Sequence, residues 1–430
     1  MKELRDLKIC VIGLGYVGLP LARLFSTKYK TVGYDFNKSR VDMLMSGHDA
    51  TLEVDETLLK KAITEDGFVC TADIDDIKKC NVYIVAVPTP VDKNNRPDLK
   101  PLVGASRTVG QVISKGDIVI YESTVYPGVT EEECIPVVEA VSGMALNKDF
   151  FAGYSPERVT PGDKERTVEK LTKVTSGSTP EIADLIDRMY SSVLLNGTHK
   201  APSIRVAEAS KIIENSQRDV NIAFMNEIAK IFNAMGIDTL DVLAAAGTKW
   251  NFIKLRPGLV GGHCISVDPY YLIQKAQVYG VMPRVMMSAR RLNDSMGAYV
   301  ANEVIRYMNL KGLVVKDADI LLLGFTFKEN CPDIRNTKIV DVYHTFASYT
   351  KNIVVYDTWA SKEKAAKEYG IEITNGSAEQ LKGRFDAVVL GVAHAFFNDI
   401  DVRSMLKDAT KGVVYDVKGV LDPDIVDGRL

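Results

Sequence analysis

The stretch Arg256–Tyr271 sets a cysteine in surroundings suited to covalent chemistry, because three glycines precede Cys264 within it. Those glycines are Gly258, Gly261 and Gly262. Glycine adopts backbone conformations closed to other residues and lets a ligand approach the chain closely. A cysteine just before a helix can have a lowered thiol pKa, which favours the nucleophilic thiolate. Cys264 is therefore a candidate nucleophile, although a buried and inert cysteine beside a glycine turn explains these residues equally well.

Two neighbours of this cysteine also carry groups that could take part in chemistry. Asp268 lies four residues after Cys264, so the two side chains share a face if the segment is helical. His263 directly precedes the cysteine and suggests a Cys–His pair. Adjacent residues seldom face each other, and we therefore favour a structural or substrate-contact role for His263.

A second glycine-rich stretch, Gly13–Gly18, fits the pattern G-x-G-x-x-G between an apolar strand and a helix. In that pattern the first glycine allows a tight turn, the second lets the backbone approach a pyrophosphate, and the third lets helix and strand pack closely. The free N–H groups of the helix start favour an anion. The residues expected to contact the cofactor here are Gly13, Gly15, Tyr16, Val17 and Gly18. A glycine turn with only a structural role is the alternative interpretation.

An acidic residue at the end of the next strand indicates which dinucleotide binds. Asp35 stands 17 residues after Gly18 (35 − 18), where a carboxylate would accept hydrogen bonds from the ribose of NAD and repel the extra phosphate of NADP. Arg40 follows shortly and weakens this preference for NAD. Thr89, Ser123 and Thr124 end two later strands, and ligands of such sheets bind beyond the carboxyl ends of the strands.

The segments that must position these residues indicate an α/β protein. Continuous apolar runs alternate with helical segments, which is typical of a parallel sheet covered on both faces. The predicted strands are Lys8–Ile12, Thr31–Tyr34, Val82–Val87, Asp117–Tyr121, Asp319–Leu323, Asn352–Tyr356, Asp386–Val392 and Gly412–Asp416. A helix is predicted over Tyr16–Thr27, and a long one over Ile204–Met235, where glycine and proline are absent.

These segments predict two Rossmann-like, doubly wound domains joined by a long central helix and a helical middle domain. We expect an NAD-binding domain over 1–200, a helical dimerisation domain with the cysteine loop over 201–311, and a substrate-binding domain over 312–430.

Composition narrows the class of protein. The chain has 430 residues and a formal net charge of −3, so no overall basic field attracts nucleic acid. No apolar run approaches the roughly 18–20 residues of a membrane helix, and no signal peptide is evident, which places the protein in the cytoplasm. The six cysteines are widely spaced without a CxxC pair, which argues against a disulfide framework and against a metal site.

The cysteine stretch, with Gly-Gly-His-Cys-Ile-Ser-Val-Asp-Pro-Tyr-Tyr-Leu at its centre, resembles the nucleophile motif of the UDP-glucose/GDP-mannose dehydrogenase family. The residues of this motif are similar to those of the branch that acts on UDP-N-acetylhexosamines, and the segment Gly247–Phe252 also resembles that branch. The resemblance covers essentially the whole chain in three regions. It implies that Cys264 is a covalent nucleophile and that NAD is the cofactor.

The resemblance also implies roles for residues outside the cysteine loop. Lys211 and Asn215, one helical turn apart, belong to the active site with Asp268, as oxyanion-stabilising or water-orienting groups. Glu157, in Ser155–Arg158, is a candidate acid or base, and Thr124 helps to hold water near the reacting carbon. Arg335 is expected to contact the cofactor. The expected substrate contacts are Glu157, Arg158, Lys211, Asn215, Arg256, Gly261 and Lys328. Pro161 departs from relatives that carry an acid there, and nothing marks Cys331 as reactive.

The implied reaction is a four-electron oxidation of the C6 primary alcohol of a UDP-sugar, which consumes two NAD and passes through a thiohemiacetal and a thioester on Cys264. UDP-N-acetylglucosamine is the first choice of substrate, followed by its galacto and manno epimers, with UDP-glucose and GDP-mannose less favoured. The resemblance further implies a homodimer built on the long helix, with Arg256 reaching a neighbouring subunit, and a product used for surface polysaccharide. A one-step dehydrogenase and a nucleotide-binding sensor or scaffold are the competing interpretations.

Overall fold

A computed structural model describes residues 3–92, 96–159, 165, 167–262 and 265–430 of the chain. Cys264, His263 and Pro161, which the sequence singles out, therefore lie outside the described residues. The chain divides into two compact units. Unit 1 comprises Met1–Glu214 and Tyr270–Val281, and unit 2 comprises Asn215–Pro269 and Met282–Leu430.

The described part of unit 1 is built on a sheet of eight strands. They are β1 Lys8–Ile12, β2 Lys30–Tyr34, β3 Val69–Thr71, β4 Val82–Val85, β5 Ile118–Tyr121, β6 Phe151–Tyr154, β7 Lys173–Gly177 and β8 Thr198–Lys200. Their order is β3-β2-β1-β4-β5-β6-β7-β8, and every neighbouring pair is parallel except the antiparallel pair β6–β7. The central strands are buried along their whole length, because helices cover both faces.

Seven helices connect these strands within the residues that the structure describes. They are α1 Gly18–Ser26, α2 Lys38–Met45, α3 Glu56–Thr64, α4 Ile74–Ile77, α5 Lys100–Val112, α6 Ile135–Ser142 and α7 Pro180–Ser191. Several begin at a residue whose side chain accepts a hydrogen bond from the first turn: Asn37, Asp55, Asp73 and Thr179. Such capping satisfies N–H groups that have no partner within a helix.

The long helix α8 spans Ile204–Met235, as the sequence predicts. The boundary between the two units falls inside it, between Glu214 and Asn215. The helices after it are α9 Thr239–Ala246, α10 Asp268–Val278 and α11 Arg284–Leu310. Together they form the helical middle region that the sequence predicts.

Unit 2 contains a parallel sheet with six strands in its described residues. They are β9 Ile320–Leu323, β10 Ile353–Tyr356, β11 Ile373–Thr374, β12 Ala387–Leu390, β13 Val413–Asp416 and β14 Gly428–Arg429, with α12 Ile339–Ala347 and α13 Lys362–Tyr369 among them. The order β11-β10-β9-β12-β13-β14 repeats that of the first six strands of unit 1. It is the doubly wound order 3-2-1-4-5-6 of dinucleotide-binding folds.

The predicted fold class is therefore confirmed, whereas the predicted domain limits at 200/201 and 311/312 stay predictions. Several predicted strands extend one or two residues beyond the observed ladders, as at Val82–Val87. Among the described residues, no helix is both long and apolar enough to cross a membrane, and no group of three His, Cys, Asp or Glu side chains is placed to hold a metal ion.

Candidate active site

The three glycines of the turn after β1 are under different constraints. Gly13 has a φ of +92°, and its N–H donates to the Tyr34 carbonyl over 2.8 Å. A Cβ atom on Gly18 would lie 1.8 Å from the Gly13 carbonyl oxygen, so helix α1 packs against the turn only with glycine there. A Cβ atom on Gly15 would meet no atom of the described residues within 4 Å. Gly13 and Gly18 thus shape the turn, while Gly15 leaves open space at the start of α1, next to Tyr16 and Val17.

Asp35 follows β2 and is held against this turn. One carboxylate oxygen accepts the Leu14 N–H over 2.9 Å, and the other accepts the Asn37 N–H over 2.9 Å. Arg40 donates to the Leu14 carbonyl oxygen over 3.0 and 3.1 Å and pairs with buried Asp49 over 2.7 Å. Arg40 therefore braces the glycine turn from inside the protein. A turn with open space at Gly15 and a fixed carboxylate at Asp35 fits NAD.

The loops after β4 and β5 bring three predicted residues together. The Thr89 hydroxyl donates to the Thr124 carbonyl oxygen over 2.8 Å, and the Ser123 hydroxyl donates to that of Val87 over 2.7 Å. Tyr271 donates to the Thr89 carbonyl oxygen over 2.8 Å. These bonds hold Thr89, Ser123 and Thr124 beside one another at the carboxyl edge of the sheet, where the fold places ligands.

Glu157 is buried beside a charge network that the sequence does not reveal. One of its oxygens accepts the N–H groups of Arg158 and Val159 over 2.6 and 2.5 Å, and the other lies 3.6 Å from the Lys173 ammonium. Lys173 pairs with Glu122 over 2.6 Å, and both side chains are completely buried. The fixed ammonium holds the Glu157 carboxylate in place, as a candidate acid or base requires.

Glu122 is the innermost member of this network. Burial raises the pKa of Glu122 to about 7, and the Lys173 ammonium opposes that rise. The Tyr190 hydroxyl donates to its second oxygen over 2.5 Å.

Two more side chains of unit 1 hold loops near this edge. Arg158 pairs with Glu214 over 2.8 Å and donates to the Thr172 carbonyl oxygen over 2.8 Å. Glu208, on α8, accepts the N–H groups of Gly128 and Thr130 over 2.6 and 2.9 Å. Burial raises the pKa of Glu208 to about 7. The sequence did not single out Glu208, because its two partners lie some 80 residues away along the chain.

Lys211 and Asn215 occupy successive turns of α8. The Lys211 side chain is only 6% exposed, and the described residues supply no hydrogen bond or ion pair to its ammonium. The Asn215 amide donates to the buried Asp268 carboxylate over 2.5 Å. The ammonium of a mostly buried lysine and an amide fixed by a carboxylate are groups that can stabilise a developing oxyanion.

Helix α10 begins only at Asp268, and residues 265–267 form turns. Residues 265–267, which separate Cys264 from Asp268, are therefore not part of the helix, and a shared face for these two side chains stays a prediction. Ser266 caps this turn by donating to the Gly262 carbonyl oxygen over 2.7 Å.

The glycines ahead of the cysteine pack against a loop of unit 2. A Cβ atom on Gly261 would lie 2.6 Å from the Asn336 carbonyl oxygen, and one on Gly262 would lie 2.8 Å from the Phe327 ring. The Asn336 amide also donates to the Gly262 carbonyl oxygen over 3.1 Å. Glycine at 261 and 262 therefore allows a close approach of two backbone segments within unit 2.

The remaining predicted contacts differ in their surroundings. Arg256 is exposed and Lys328 is half-buried. Arg335, which the resemblance assigns to the cofactor, forms hydrogen bonds of 2.6–3.2 Å with Asp333. The sequence missed Asn226, whose amide accepts the Gly258 N–H over 2.8 Å and donates to the Gly258 carbonyl oxygen over 3.0 Å. These two hydrogen bonds tie the start of the cysteine stretch to α8.

Comparison with protein families separates the candidate functions. Three family models match: the NAD binding domain of the UDP-glucose/GDP-mannose dehydrogenase family at residues 7–194, its central domain at 205–295 and its UDP binding domain at 321–423. The chain belongs to the UDP-glucose/GDP-mannose dehydrogenase family. The glycine turn thus lies in the NAD binding domain of a dehydrogenase of this family, and most of the unit 2 sheet lies in its UDP binding domain. NAD is the cofactor, and a UDP-sugar is the class of substrate.

Individual relatives cover the whole chain. A UDP-N-acetyl-D-glucosamine 6-dehydrogenase from Pseudomonas aeruginosa is 55% identical over 99% of this chain and 100% of its own length. One from Salmonella typhi is 50% identical over 99% of both chains. The solved structure of a UDP-D-ManNAc dehydrogenase from Pyrococcus horikoshii has a TM-score of 0.88 at 28% identity and covers 98% of both chains. This similarity confirms the assignment of the chain to the family over its full length.

Proposed function

We propose that this dehydrogenase oxidises the C6 primary alcohol of UDP-N-acetyl-D-glucosamine to the carboxylate in two steps, with Cys264 as the covalent nucleophile. The observation that carries the reaction type is the hydrogen bond between Asn215 and Asp268. Asn215 follows Lys211 by one turn of α8, and Asp268 follows Cys264 by four residues. The choice of sugar rests on identities of 55% and 50% to two enzymes named for it, against 28% to one named for the manno epimer.

The polar residues of the site have distinct tasks in this proposal. A base that acts through an ordered water or through Lys211 takes the proton of the C6 hydroxyl. Lys211 and Asn215 then stabilise the oxyanions that develop at C6, since donors fixed before the reaction need no rearrangement. Asp268 holds the Asn215 amide in place. Glu157 and Thr124 orient the water that releases the product, with Glu157 kept in position by Lys173.

When bound, NAD would supply the hydride acceptor for each oxidation, so two NAD would be consumed for each sugar. The Cys264 thiolate adds to the C6 aldehyde to form a thiohemiacetal, whose oxidation leaves a thioester. Water cleaves the thioester to the acid and returns the thiol. Covalent capture keeps a reactive aldehyde from leaving the site.

The residues that would hold the ligands are assigned by the same proposal. The cofactor contacts are Gly13, Gly15, Tyr16, Val17, Gly18, Asp35, Arg40, Thr89, Ser123, Thr124 and Arg335. The substrate contacts are Glu157, Arg158, Lys211, Asn215, Arg256, Gly261 and Lys328. Arg40 contributes by bracing the turn at Leu14, while Asp35 presents its carboxylate to the ribose.

We further propose that the chain works as a cytoplasmic homodimer and supplies a precursor of surface polysaccharide. Exposed apolar side chains on α8, including Ile213, Phe224, Ile231 and Met235, support pairing through this helix. Arg256 would then reach the site of a neighbouring subunit.

A substrate panel tests the proposal. The purified chain is given NAD and one of five sugars: the UDP-linked N-acetyl derivatives of glucosamine, galactosamine and mannosamine, UDP-glucose or GDP-mannose. We expect the highest kcat/KM with UDP-N-acetyl-D-glucosamine and two NADH for each acid formed. One NADH per sugar with release of aldehyde would support a one-step dehydrogenase instead, and binding without turnover would support a sensor. Preference for another sugar would overturn only the substrate assignment.

A further inference from the structure

The two sheets repeat one local arrangement at their first strands. In unit 1 the N–H of Gly13 donates to the Tyr34 carbonyl oxygen over 2.8 Å, and in unit 2 that of Gly324 donates to Tyr356 over 2.8 Å. Both glycines have φ near +90°. The carboxylate after each second strand then accepts the N–H of the residue next to the glycine: Asp35 from Leu14 over 2.9 Å, and Asp357 from Phe325 over 2.6 Å.

The repeats differ in the length of the segment between the glycine and the next helix. Helix α1 begins five residues after Gly13 (18 − 13), whereas α12 begins fifteen residues after Gly324 (339 − 324). Unit 2 therefore replaces a short phosphate-binding turn by a longer loop, residues 325–338, which we call the β9 loop. This loop carries Lys328, one of the residues of unit 2 that the proposed function assigns to the substrate.

His394 fixes one end of the β9 loop. Its ring is completely buried, and Nδ1 lies 2.9 Å from the backbone nitrogen of Asn330. A backbone N–H can only donate, so Nδ1 accepts and the ring proton belongs on Nε2. That nitrogen lies 3.0 Å from the Asp357 carboxylate, which accepts its proton. The carboxylate therefore fixes the tautomer that Asn330 requires.

Further contacts bind the same loop on both sides of Lys328. The Asn330 side chain accepts the N–H of Ala395 over 2.9 Å. The Thr326 hydroxyl lies 3.2 Å from Nε2 of His394 and donates to the Lys328 carbonyl oxygen over 2.8 Å. The backbone of Lys328 thus lies between two positions that contact His394 directly.

We propose that His394 is a positioning residue that holds the β9 loop in the shape that presents Lys328 to the diphosphate of the UDP-sugar. The inference rests on the substrate role of Lys328 in the proposed function, and it adds the residue through which the fold enforces that role. An ammonium placed as a fixed point charge is a common phosphate ligand. The hydrogen bond from the Asn330 N–H to Nδ1 of His394 holds the loop. Asp357 contributes indirectly, because it fixes the tautomer of His394.

Two substitutions of His394 separate this role from simple filling of space. Asparagine places an acceptor oxygen where Nδ1 stands, whereas glutamine reaches the position of Nε2 and removes the acceptor from Asn330. The measurement is the Kd of UDP, by titration calorimetry on the full chain without NAD. We expect His394→Gln to raise this Kd about tenfold, because it leaves a buried N–H without its acceptor, and His394→Asn to raise it less. The exposed His199→Gln serves as the control and leaves the Kd unchanged.

The order of the two variants decides the proposal. If His394 only fills space, the smaller asparagine is the more damaging residue, and a larger rise for His394→Asn or an equal rise for both overturns the inference. A double-variant cycle gives a second test, in which His394→Gln adds little to Lys328→Gln if both act on the same contact. Additive effects would contradict the proposal. UDP binding without acid formation from any sugar would overturn the proposed function alone, whereas absence of UDP binding by the unaltered chain would overturn this inference.

Discussion

The Asn215 amide and the Asp268 carboxylate share a hydrogen bond of 2.5 Å. It joins the first half of α8 to Asp268, the first residue of α10, and the cysteine stretch leads into α10 at that residue. Lys211 precedes Asn215 by one helical turn. The bond therefore fixes the Asn215 amide, to which the proposed function gives the stabilisation of an oxyanion.

Replacing Lys211 by methionine separates activity from stability. We expect kcat to fall about 10²–10³-fold, the usual effect of losing an oxyanion donor. The free energy of unfolding should stay nearly unchanged, because the described residues supply no hydrogen bond or ion pair to this ammonium that the substitution would break. Steady-state kinetics and urea unfolding give the two quantities. Lys230→Met, which removes an ammonium 5.1 Å from the Tyr299 ring, is the control on the same helix and should keep full activity. Normal turnover by Lys211→Met would remove Lys211 from the mechanism.

Gly15 and Gly18 should respond to alanine in opposite ways. Gly18→Ala forces a Cβ atom to within 1.8 Å of the Gly13 carbonyl oxygen, so we expect a loss of about 3 kcal/mol or more in unfolding free energy. Gly15→Ala meets no atom of the described chain within 4 Å and should fold normally. It should still raise the KM for NAD, because the methyl group enters the space left for the pyrophosphate. Thermal unfolding and NAD titrations measure both effects. An unchanged KM in Gly15→Ala would show that the cofactor does not approach this turn.

Lys173 is expected to be the most sensitive buried charge of unit 1. Lys173→Met leaves Glu122 and Glu157 without their shared cation, and breaking such a buried pair destabilises a protein by about 3–5 kcal/mol. The double variant Glu122→Gln/Lys173→Met removes both charges of the inner pair and should recover a large part of that loss. Urea unfolding of the single and double variants checks the pairing. Equal stability of the Lys173→Met variant and the unaltered chain would show that the network carries no net interaction.

Glu208 should make the stability of the protein depend on pH. Burial raises the pKa of Glu208 from 4.5 to about 7, so the folded chain keeps a proton that the unfolded chain loses near pH 4.5. This stabilising contribution is complete below about pH 4.5 and is lost as the pH rises through about 7. The loss amounts to about 3 kcal/mol. The free energy of unfolding, measured at several pH values, should therefore fall less steeply with rising pH in Glu208→Gln than in the unaltered chain.

The exposed Glu227→Gln is the matched control for that experiment, and it should match the pH dependence of the unaltered chain. Glu122, whose pKa is also raised to about 7, keeps its own contribution in both variants, so the difference between the curves isolates Glu208. Parallel curves for Glu208→Gln and the unaltered chain would contradict the prediction.

The sequence was sufficient to predict the structure of segments whose conformation depends on their own residues. The helix predicted over Ile204–Met235 is α8, because neither glycine nor proline interrupts its apolar periodicity. The turn Gly13–Gly18 was equally readable, since its chemistry is contained in six residues. The end of β4 could not be read from the sequence, because Ala86 and Val87 are apolar like the strand. They nevertheless leave the ladder and pack against Gly13.

Partnerships between distant segments could not be read from one sequence. Lys173 pairs with Glu122 across 51 residues, and His394 meets Asp357 across 37. Arg40 shows the consequence for interpretation. From the sequence it weakened the preference for NAD, whereas in the structure its guanidinium is bonded to the Leu14 carbonyl oxygen and to Asp49. A residue's type suggested a ligand contact, and only its neighbours showed that it braces the loop.

The most direct test of the covalent mechanism is acid formation by Cys264→Ser, compared with Cys331→Ser as a matched control at a buried cysteine. After incubation with NAD and UDP-N-acetyl-D-glucosamine, the acid and the NADH are quantified together. The mechanism predicts that Cys264→Ser forms no acid above background because the thioester cannot form, while Cys331→Ser yields two NADH per acid. Acid production by Cys264→Ser at the rate of the unaltered chain would contradict the covalent role of this thiol.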